Sequence, residues 1–165
     1  MAAAAEGEGV TRVLVVDDDS NVRFTVRVAL EGAPPNGQPM EIMEAAGGNA
    51  ALTFLQSQKI DVVLLDVMMP DMDGFAVLKK LRTEQQNEVP VVMLTARGRE
   101  SDVANAFRAG ADAYVSKPFD VDELARITQD MADMPLRERR KRRIEEMERA
   151  ELLLQLEYSF DFDDE

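Results

Sequence analysis

Between residues 11 and 132, short apolar runs alternate with amphipathic stretches. Runs rich in β-branched residues predict strands, and they lie at 12–16, 40–45, 60–66, 89–95 and 113–116. Apolar residues spaced three and four apart predict helices, one directly after Ser20 and others at 49–58, 75–82, 101–109 and 121–131. The strongest strands have no polar face, as expected for strands covered on both sides. The alternation therefore predicts an α/β fold, a doubly wound parallel sheet of five strands with helices on both faces.

The composition is that of one folded domain with some additional chain. Of the 165 residues, 45% are hydrophobic, and no apolar run approaches the roughly 20 residues that a membrane helix needs. The net charge of -13 argues against a general affinity for nucleic acids or anionic lipids, which are themselves polyanions. Because cysteine is absent and the leader at 1–10, expected to be disordered, lacks signal-peptide features, we expect a cytoplasmic protein.

Polar groups follow the strands at one edge of the predicted sheet. In a doubly wound sheet, ligands bind beyond the carboxyl ends of the strands. The groups at those ends are Asp17, Asp18, Asp66, Thr95, Ser116 and Lys117. Any one aspartate there is about as often a helix cap or turn residue as a functional group. Together, however, crowded carboxylates need a cation, and oxygen ligands without Cys or His favour Mg²⁺. Such a site, with a lysine beside it, suits a phosphoryl group that a carboxylate attacks.

Four segments carry a resemblance to a known family. They are VLVVDDDS at 13–20, LLDVMMPDMDGF at 64–75, VVMLTA at 91–96 and AYVSKPF at 113–119. In this order and spacing they resemble the receiver domain of two-component response regulators, over residues 11–132. The resemblance implies a flavodoxin-like sheet of strand order 2-1-3-4-5. It also implies a phosphorelay regulator that catalyses its own phosphotransfer and slow dephosphorylation, and is not a dedicated enzyme.

The resemblance assigns a metal-dependent phosphoacceptor. Asp66 would take a phosphoryl group from a sensor histidine kinase, a phosphotransfer protein or a small phosphodonor. Asp18 would bind Mg²⁺ directly, Asp17 would act largely through water, and the backbone carbonyl of Met68 would be a further ligand.

The resemblance also assigns the groups that hold the phosphoryl oxygens and pass on the signal. Lys117, preceding a cis peptide bond to Pro118, would pair with those oxygens, and Thr95 would donate its hydroxyl. Tyr114 would then swing inward and change the surface of the fourth helix, fifth strand and fifth helix, at about residues 100–131, where a downstream protein would bind. The alternative for Tyr114 is a half-buried strand aromatic that does not move.

Two other aspartates lie close to Asp66 in the sequence. Asp71 and Asp73 follow Pro70 in a segment that favours a turn, and we expect Asp73 to cap the next helix. Their DxD spacing also occurs in haloacid-dehalogenase-like phosphatases, but there the first aspartate follows the strand directly. This remote alternative would use Asp71 and Asp73 instead of Asp66.

Two positions beside the predicted site suggest slow self-hydrolysis. Met68 lies two residues after the phosphoacceptor and Arg97 two residues after Thr95. A bulky thioether and a long cation there would shield an acyl phosphate from water.

The remainder of the chain predicts a helical extension at 133–158 and an acidic disordered end at 159–165. Six of the seven residues from 137 to 143 are basic, but acids follow at once, so a solvated helix with internal ion pairs is favoured. We expect it to extend from, or pack on, the last receiver helix. A weak stripe of Ile144, Met147, Leu154 and Tyr158 leaves dimerisation open.

The tail leaves two kinds of output open. The favoured one is a receiver that signals by binding another protein, since the tail is too short for a helix-turn-helix domain. The alternative is that the tail itself dimerises or binds nucleic acid through its basic run. A receiver that folds but is never phosphorylated is a third reading, which the complete residue set disfavours.

Overall fold

The computed structural model describes residues 9–32, 34–96 and 100–161. Five parallel strands form one sheet in the order β2-β1-β3-β4-β5. The strands are β1 (Thr11–Val16), β2 (Met40–Ala45), β3 (Val62–Asp66), β4 (Val91–Thr95) and β5 (Ala113–Ser116). The helices are α1 (Ser20–Gly32), α2 (Gly48–Ser57), α3 (Gly74–Thr83), α4 (Glu100–Ala109), α5 (Val121–Asp133) and α6 (Leu136–Asp161). The predicted fold class and strand order are confirmed.

The core lies in two layers, one on each face of the sheet. Alternate residues of a strand point to opposite faces, so Leu14 and Leu65 belong to one layer while Val13 and Leu64 belong to the other. The first layer is closed by α2 and α3 with part of α4, and the second by α1 and α5. This double cover is the physical reason that the strands have no polar face.

Short polar side chains begin the helices that surround the carboxyl edge of the sheet. The Asp73 carboxylate accepts a hydrogen bond from the backbone N–H of Ala76 at 2.8 Å, which confirms the predicted cap of α3. Asp120 caps α5 in the same way. Before α1, the Asp19 carboxylate accepts from the N–H of Asn21, at 2.9 Å.

Two strands begin later than the apolar pattern predicts. Before β3, Asp61 pairs with Arg12, whose N–H donates to the Asp61 carboxylate at 2.8 Å, so β3 starts at Val62. Before β4, Pro90 has no N–H to donate, and the strand starts at Val91.

The tail differs from its prediction in its packing partner and its ion pairs. Helix α6 packs chiefly against α4, not against the preceding helix α5. Among the described residues, one i,i+4 ion pair lies within α6, between Lys141 and Glu145, whereas Arg139 and Arg143 are paired with residues of the receiver. Most described residues of α6 are exposed, as predicted, but the expectation that internal ion pairs hold the helix was wrong.

The carboxyl end of α6 extends past the predicted boundary. The helix continues beyond residue 158 to Asp161, and the Ser159 hydroxyl donates to the carbonyl of Gln155. Residues 162–165 of the predicted acidic end, and residues 1–8 of the leader, lie outside the described residues. None of the described helices combines the length and apolar composition that crossing a bilayer requires.

Candidate functional site

Three carboxylates meet at the carboxyl edge of the sheet. Asp17 directly follows β1, Asp18 comes next, and Asp66 is the last residue of β3. Because β1 and β3 are neighbours, with Val16 opposite Leu65, their ends bring the three side chains together. One carboxylate oxygen from each lies within 4.8 Å of the others. Asp17 and Asp66 are buried whereas Asp18 is exposed, so the cluster opens to solvent on one side.

Lys117 bridges two of these carboxylates. Its Nζ donates to Asp17 Oδ2 at 3.1 Å and to Asp66 Oδ1 at 3.2 Å. The ammonium reaches them from the loop after β5, next to a cis peptide bond between Lys117 and Pro118. The strand order thus brings together a lysine and an aspartate 51 positions apart in the sequence.

The pKa values of Asp66 and Lys117 are both raised. Burial is the main reason that the pKa of Asp66 lies above its ordinary value, and Asp17 adds to it while Lys117 opposes it. Burial by itself would lower the pKa of Lys117, but the two carboxylates outweigh it, so the ammonium is further stabilised. The result is a crowded acidic site that one fixed cation neutralises only in part.

Thr95 and Tyr114 lie beside the cluster on the next two strands. Thr95 ends β4 and is buried, and it is opposite Ser116 in the register of β4 and β5. The Tyr114 ring is half-buried against the core, and its buried hydroxyl interacts with the Thr95 side chain. Burial raises the pKa of Tyr114 above its ordinary value, while the interaction with Thr95 lowers it in part. The ring is therefore already turned inward.

The loop from β3 to α3 separates Asp66 from the other two aspartates. Asp71 adopts a left-handed conformation with φ of 68° and is exposed, and the Asp73 side chain caps α3. A Cβ atom at Gly74 would lie 2.4 Å from the Asp66 carbonyl oxygen, so only glycine permits the approach of this loop to the strand end. Neither Asp71 nor Asp73 joins the carboxylate cluster, which does not favour the dehalogenase-like alternative.

Of the two residues predicted to flank the site, Met68 is described by the structure and Arg97 is not. The Met68 side chain is exposed at 73% and lines a cavity of about 430 Å³ together with Phe75, Thr95 and Asp102. This cavity adjoins the site from the side of α4. Arg97 lies outside the described residues.

One residue that supports the site was missed in the sequence. Arg23, in the first turns of α1, donates from Nη1 to the backbone carbonyl of Asp17 at 2.6 Å and pairs through Nε with Glu44. The guanidinium thereby fixes the backbone that carries Asp17. The available signal was an arginine four positions after Asp19, which is not distinctive.

The family is shown by comparison with known proteins. Residues 13–129 match the model of the response regulator receiver domain. The chain therefore belongs to the response regulator receiver family of two-component systems, whose members are signalling proteins and not dedicated enzymes.

Relatives of this chain are longer proteins. It is 39% identical over 113 residues to the heme response regulator HssR of Staphylococcus haemolyticus, covering 68% of this chain and 47% of that protein. It is 41% identical over 114 residues to the KDP operon transcriptional regulatory protein KdpE of Escherichia coli, covering 69% of this chain and 48% of that one. The chain thus spans about half the length of these curated relatives.

Solved receiver structures have the same fold. The receiver domain of the Francisella response regulator 1452 superposes with a TM-score of 0.67 at 32% identity, covering 74% of this chain and 96% of that one. The chemotaxis protein CheY4 of Vibrio cholerae superposes with the same TM-score and identity, and the match covers 74% of this chain and 98% of the CheY4 chain.

Proposed function

We propose that this chain is a phosphoacceptor response regulator in which Asp66 receives a phosphoryl group from a sensor histidine kinase or a phosphotransfer protein. The observation that carries the proposal is the cluster of Asp17, Asp18 and Asp66 with Lys117 hydrogen-bonded between two of them. Asp66 is held at the end of a buried strand, where a rigid backbone fixes its carboxylate.

The donor set of the cluster fits Mg²⁺. Three carboxylates, one of them exposed, provide oxygen ligands and leave an open side for the waters that Mg²⁺ keeps. Asp18 and Asp66 would hold the ion directly, Asp17 largely through water, and Met68 through its backbone carbonyl. Once bound, the ion would neutralise charge on the carboxylates and on the incoming phosphoryl oxygens.

The protein groups around Asp66 are suited to holding a transferred phosphoryl group. A carboxylate oxygen of Asp66 attacks phosphorus, the bond from phosphorus to the donor's imidazole nitrogen breaks, and the electron pair leaves with that nitrogen. Lys117 shifts from its two carboxylates toward the phosphoryl oxygens. Thr95, at the end of the neighbouring strand, donates its hydroxyl to them from the other side.

The signal would leave the site through Thr95 and Tyr114. Phosphorylation replaces the single negative charge of the Asp66 carboxylate with about 1.5 to 2 negative charges on the phosphoryl oxygens, which draw the Thr95 hydroxyl toward them. Because the Tyr114 hydroxyl already interacts with Thr95, the tyrosine would adjust from an inward position and not swing in from solvent. The surface of α4, β5 and α5 would change with it and control binding of a downstream protein.

The proposal is tested by intact mass after incubation with acetyl phosphate or phosphoramidate. The chain should gain one phosphoryl group in the presence of Mg²⁺ and none when the metal is chelated. Mass spectrometry reads the gain directly, and addition of Mg²⁺ back to the chelated sample is the control. Equal phosphorylation with and without metal would show that the carboxylate cluster does not act as a cation site.

A nucleic-acid-binding tail is the weaker output. Arg139 and Arg143, two members of the basic run, are engaged by acidic groups of the receiver and are not free for phosphates. Ile144 and Tyr158, two members of the stripe proposed from the sequence, are exposed at 54% and 66%, as the side chains of a dimer contact are in a single chain.

We expect Met68→Asn to accelerate dephosphorylation several-fold. The exposed thioether lies at the rim of the site, and the shorter polar amide would admit and orient water. Decay of the phosphorylated chain, followed by intact mass after removal of the phosphodonor, measures the rate. Arg97→Ala should act in the same direction.

The matched control for Met68→Asn is Val28→Asn, which makes a similar change at an exposed apolar residue of α1 away from the site. Its dephosphorylation rate should equal that of the wild type. A Met68→Asn rate indistinguishable from this control would refute the shielding role.

A further inference from the structure

Helix α6 is attached to the receiver by two arginines, of which Arg139 is buried and Arg143 is partly buried. Arg139 is 5% exposed, and its Nη1 donates to Asp112 Oδ1 at 3.2 Å while its Nη2 donates to the Glu88 carbonyl at 2.8 Å. One turn later, Arg143 donates from Nε to the same Asp112 oxygen at 2.8 Å and from Nη1 to the Glu88 carboxylate at 3.2 Å. We call this set of contacts the arginine clamp.

The receiver holds the clamp's central carboxylate in place from its own side. Asp112 is fully buried, and its Oδ2 accepts from the backbone N–H of Val91 at 2.9 Å and from Arg82 Nη2 at 3.1 Å. One carboxylate oxygen is therefore used within the receiver, and the other is used by α6. Arg82 is itself held by the carbonyls of Gly110 and Val89.

The division between the two oxygens indicates a built binding site. A buried carboxylate that kept Oδ1 without donors would carry a desolvation cost, which α6 removes by supplying two guanidinium donors. Glu88 contributes its carbonyl to Arg139 and its carboxylate to Arg143. Burial opposes ionisation of the Glu88 side chain, but Arg82, Arg143 and Arg140 together lower its pKa below the ordinary value. The receiver is thus shaped for two arginines four residues apart on one helix.

The second half of α6 covers the face that contains Tyr114. Ala150 is buried and Leu153 lies one turn further, and both line a cavity of about 350 Å³ with Phe107 and Tyr114. An ion pair between Arg108 of α4 and Glu151 closes the same side. Helix α6 consequently lies along α4, and its second half and the half-buried tyrosine line the same cavity.

We propose that the face formed by α4, β5 and α5 recognises an amphipathic helix bearing two arginines one turn apart, and that α6 of this chain is its resident intramolecular ligand. A downstream protein that uses this face must displace α6. Description of the face as the output surface rests on the proposed function, whereas the docking of α6 does not. The ion pairs hold one end of α6, and the apolar contacts extend over the tyrosine.

Breaking the clamp in the full-length chain tests the docking. Arg139→Gln with Arg143→Gln removes both guanidinium groups, and Arg137→Gln with Lys141→Gln makes the same charge change at exposed positions of the same helix. Backbone hydrogen exchange over residues 144–158 should become faster by about tenfold or more in the clamp variant, as expected when buried ion pairs lose a partner. The exposed-charge variant should exchange as the wild type does.

The strands provide the internal check on folding. Amides of β1 and β3 should keep their protection in both variants, which separates release of α6 from general unfolding. Equal exchange in α6 for the clamp variant and the wild type would overturn the proposal.

Competition in trans tests whether the face is occupied. A fluorescent peptide with the sequence of residues 136–161 should bind the clamp variant about tenfold or more tightly than it binds the wild type, whose own helix occupies the site. A peptide carrying Arg139→Gln and Arg143→Gln should lose this difference. Equal binding of the first peptide to both chains, or to neither, would overturn the proposal. These measurements need no phosphate, so failure of Asp66 to accept a phosphoryl group would leave their outcome unchanged.

Discussion

Asp66→Asn should abolish phosphoryl transfer to the chain. The amide is nearly isosteric with the carboxylate but has no charged oxygen to attack phosphorus, and it is a poorer ligand for Mg²⁺. Asp71 and Asp73 cannot replace it, because one lies in an exposed turn and the other caps α3. After incubation with acetyl phosphate and Mg²⁺, intact mass should show no added phosphoryl group under conditions that modify the wild type fully.

Asp71→Asn is the matched control for Asp66→Asn, since it makes the same chemical change five residues away. It should be phosphorylated as the wild type is. The Asp66 variant should also stay folded, because Lys117 keeps its bond to Asp17 and one of three crowded carboxylates is gone. The raised pKa of Asp66 also indicates that the variant stays folded. At neutral pH the ionised Asp66 carboxylate makes the folded wild type less stable than the protonated carboxyl would, and the variant has no such charge. Phosphorylation of the Asp66 variant would exclude Asp66 as the sole acceptor.

The order of helices and strands could be predicted because burial determines which residue types the strands contain. A run such as that of β3 is apolar on both faces only if helices cover both, and this fixes the class of sheet. The site followed from the same step, since residues at the carboxyl ends of neighbouring parallel strands must lie close together. Asp17, Asp66 and Lys117 were brought together in this way from distant positions. Strand starts were less predictable, because the hydrogen bond of Asp61 to a residue 49 positions away and the missing N–H of Pro90 are not measured by periodicity.

The docking of α6 could not be predicted from its apolar pattern. The stripe suggested by Ile144 and Tyr158 is largely exposed, whereas the buried stripe contains Arg139 along with Ala150. In the sequence alone, an arginine on a buried helix face cannot be distinguished from a solvated arginine, because the sequence does not show its partners. The partner Asp112 stands before β5 with no local signal, because its role depends on groups 27 and 31 positions away.

Asp112→Ala should lower the free energy of unfolding by about 3–5 kcal/mol, as expected when one partner is removed from a buried ionic network. Three arginines, Arg82, Arg139 and Arg143, would lose their common acceptor, and the N–H of Val91 would lose its own. Burial already lowers the pKa of Arg82 to about 10, although Asp112 raises it, so desolvation outweighs pairing even in the intact cluster. Chemical denaturation followed by far-ultraviolet circular dichroism measures the loss.

Two further variants distinguish the effect of breaking the buried ionic network from the effect of removing any one carboxylate. Asp130→Ala, at an exposed position of α5, should change the free energy of unfolding by less than about 0.5 kcal/mol. Adding Arg139→Met and Arg143→Met to Asp112→Ala should recover part of the loss, because the penalty arises from charges left buried without a counterpart and not from the missing carboxylate itself. If the losses of the three replacements simply added, the arginines would be solvated independently of Asp112. The cluster would then not be the structural link between α6 and the receiver.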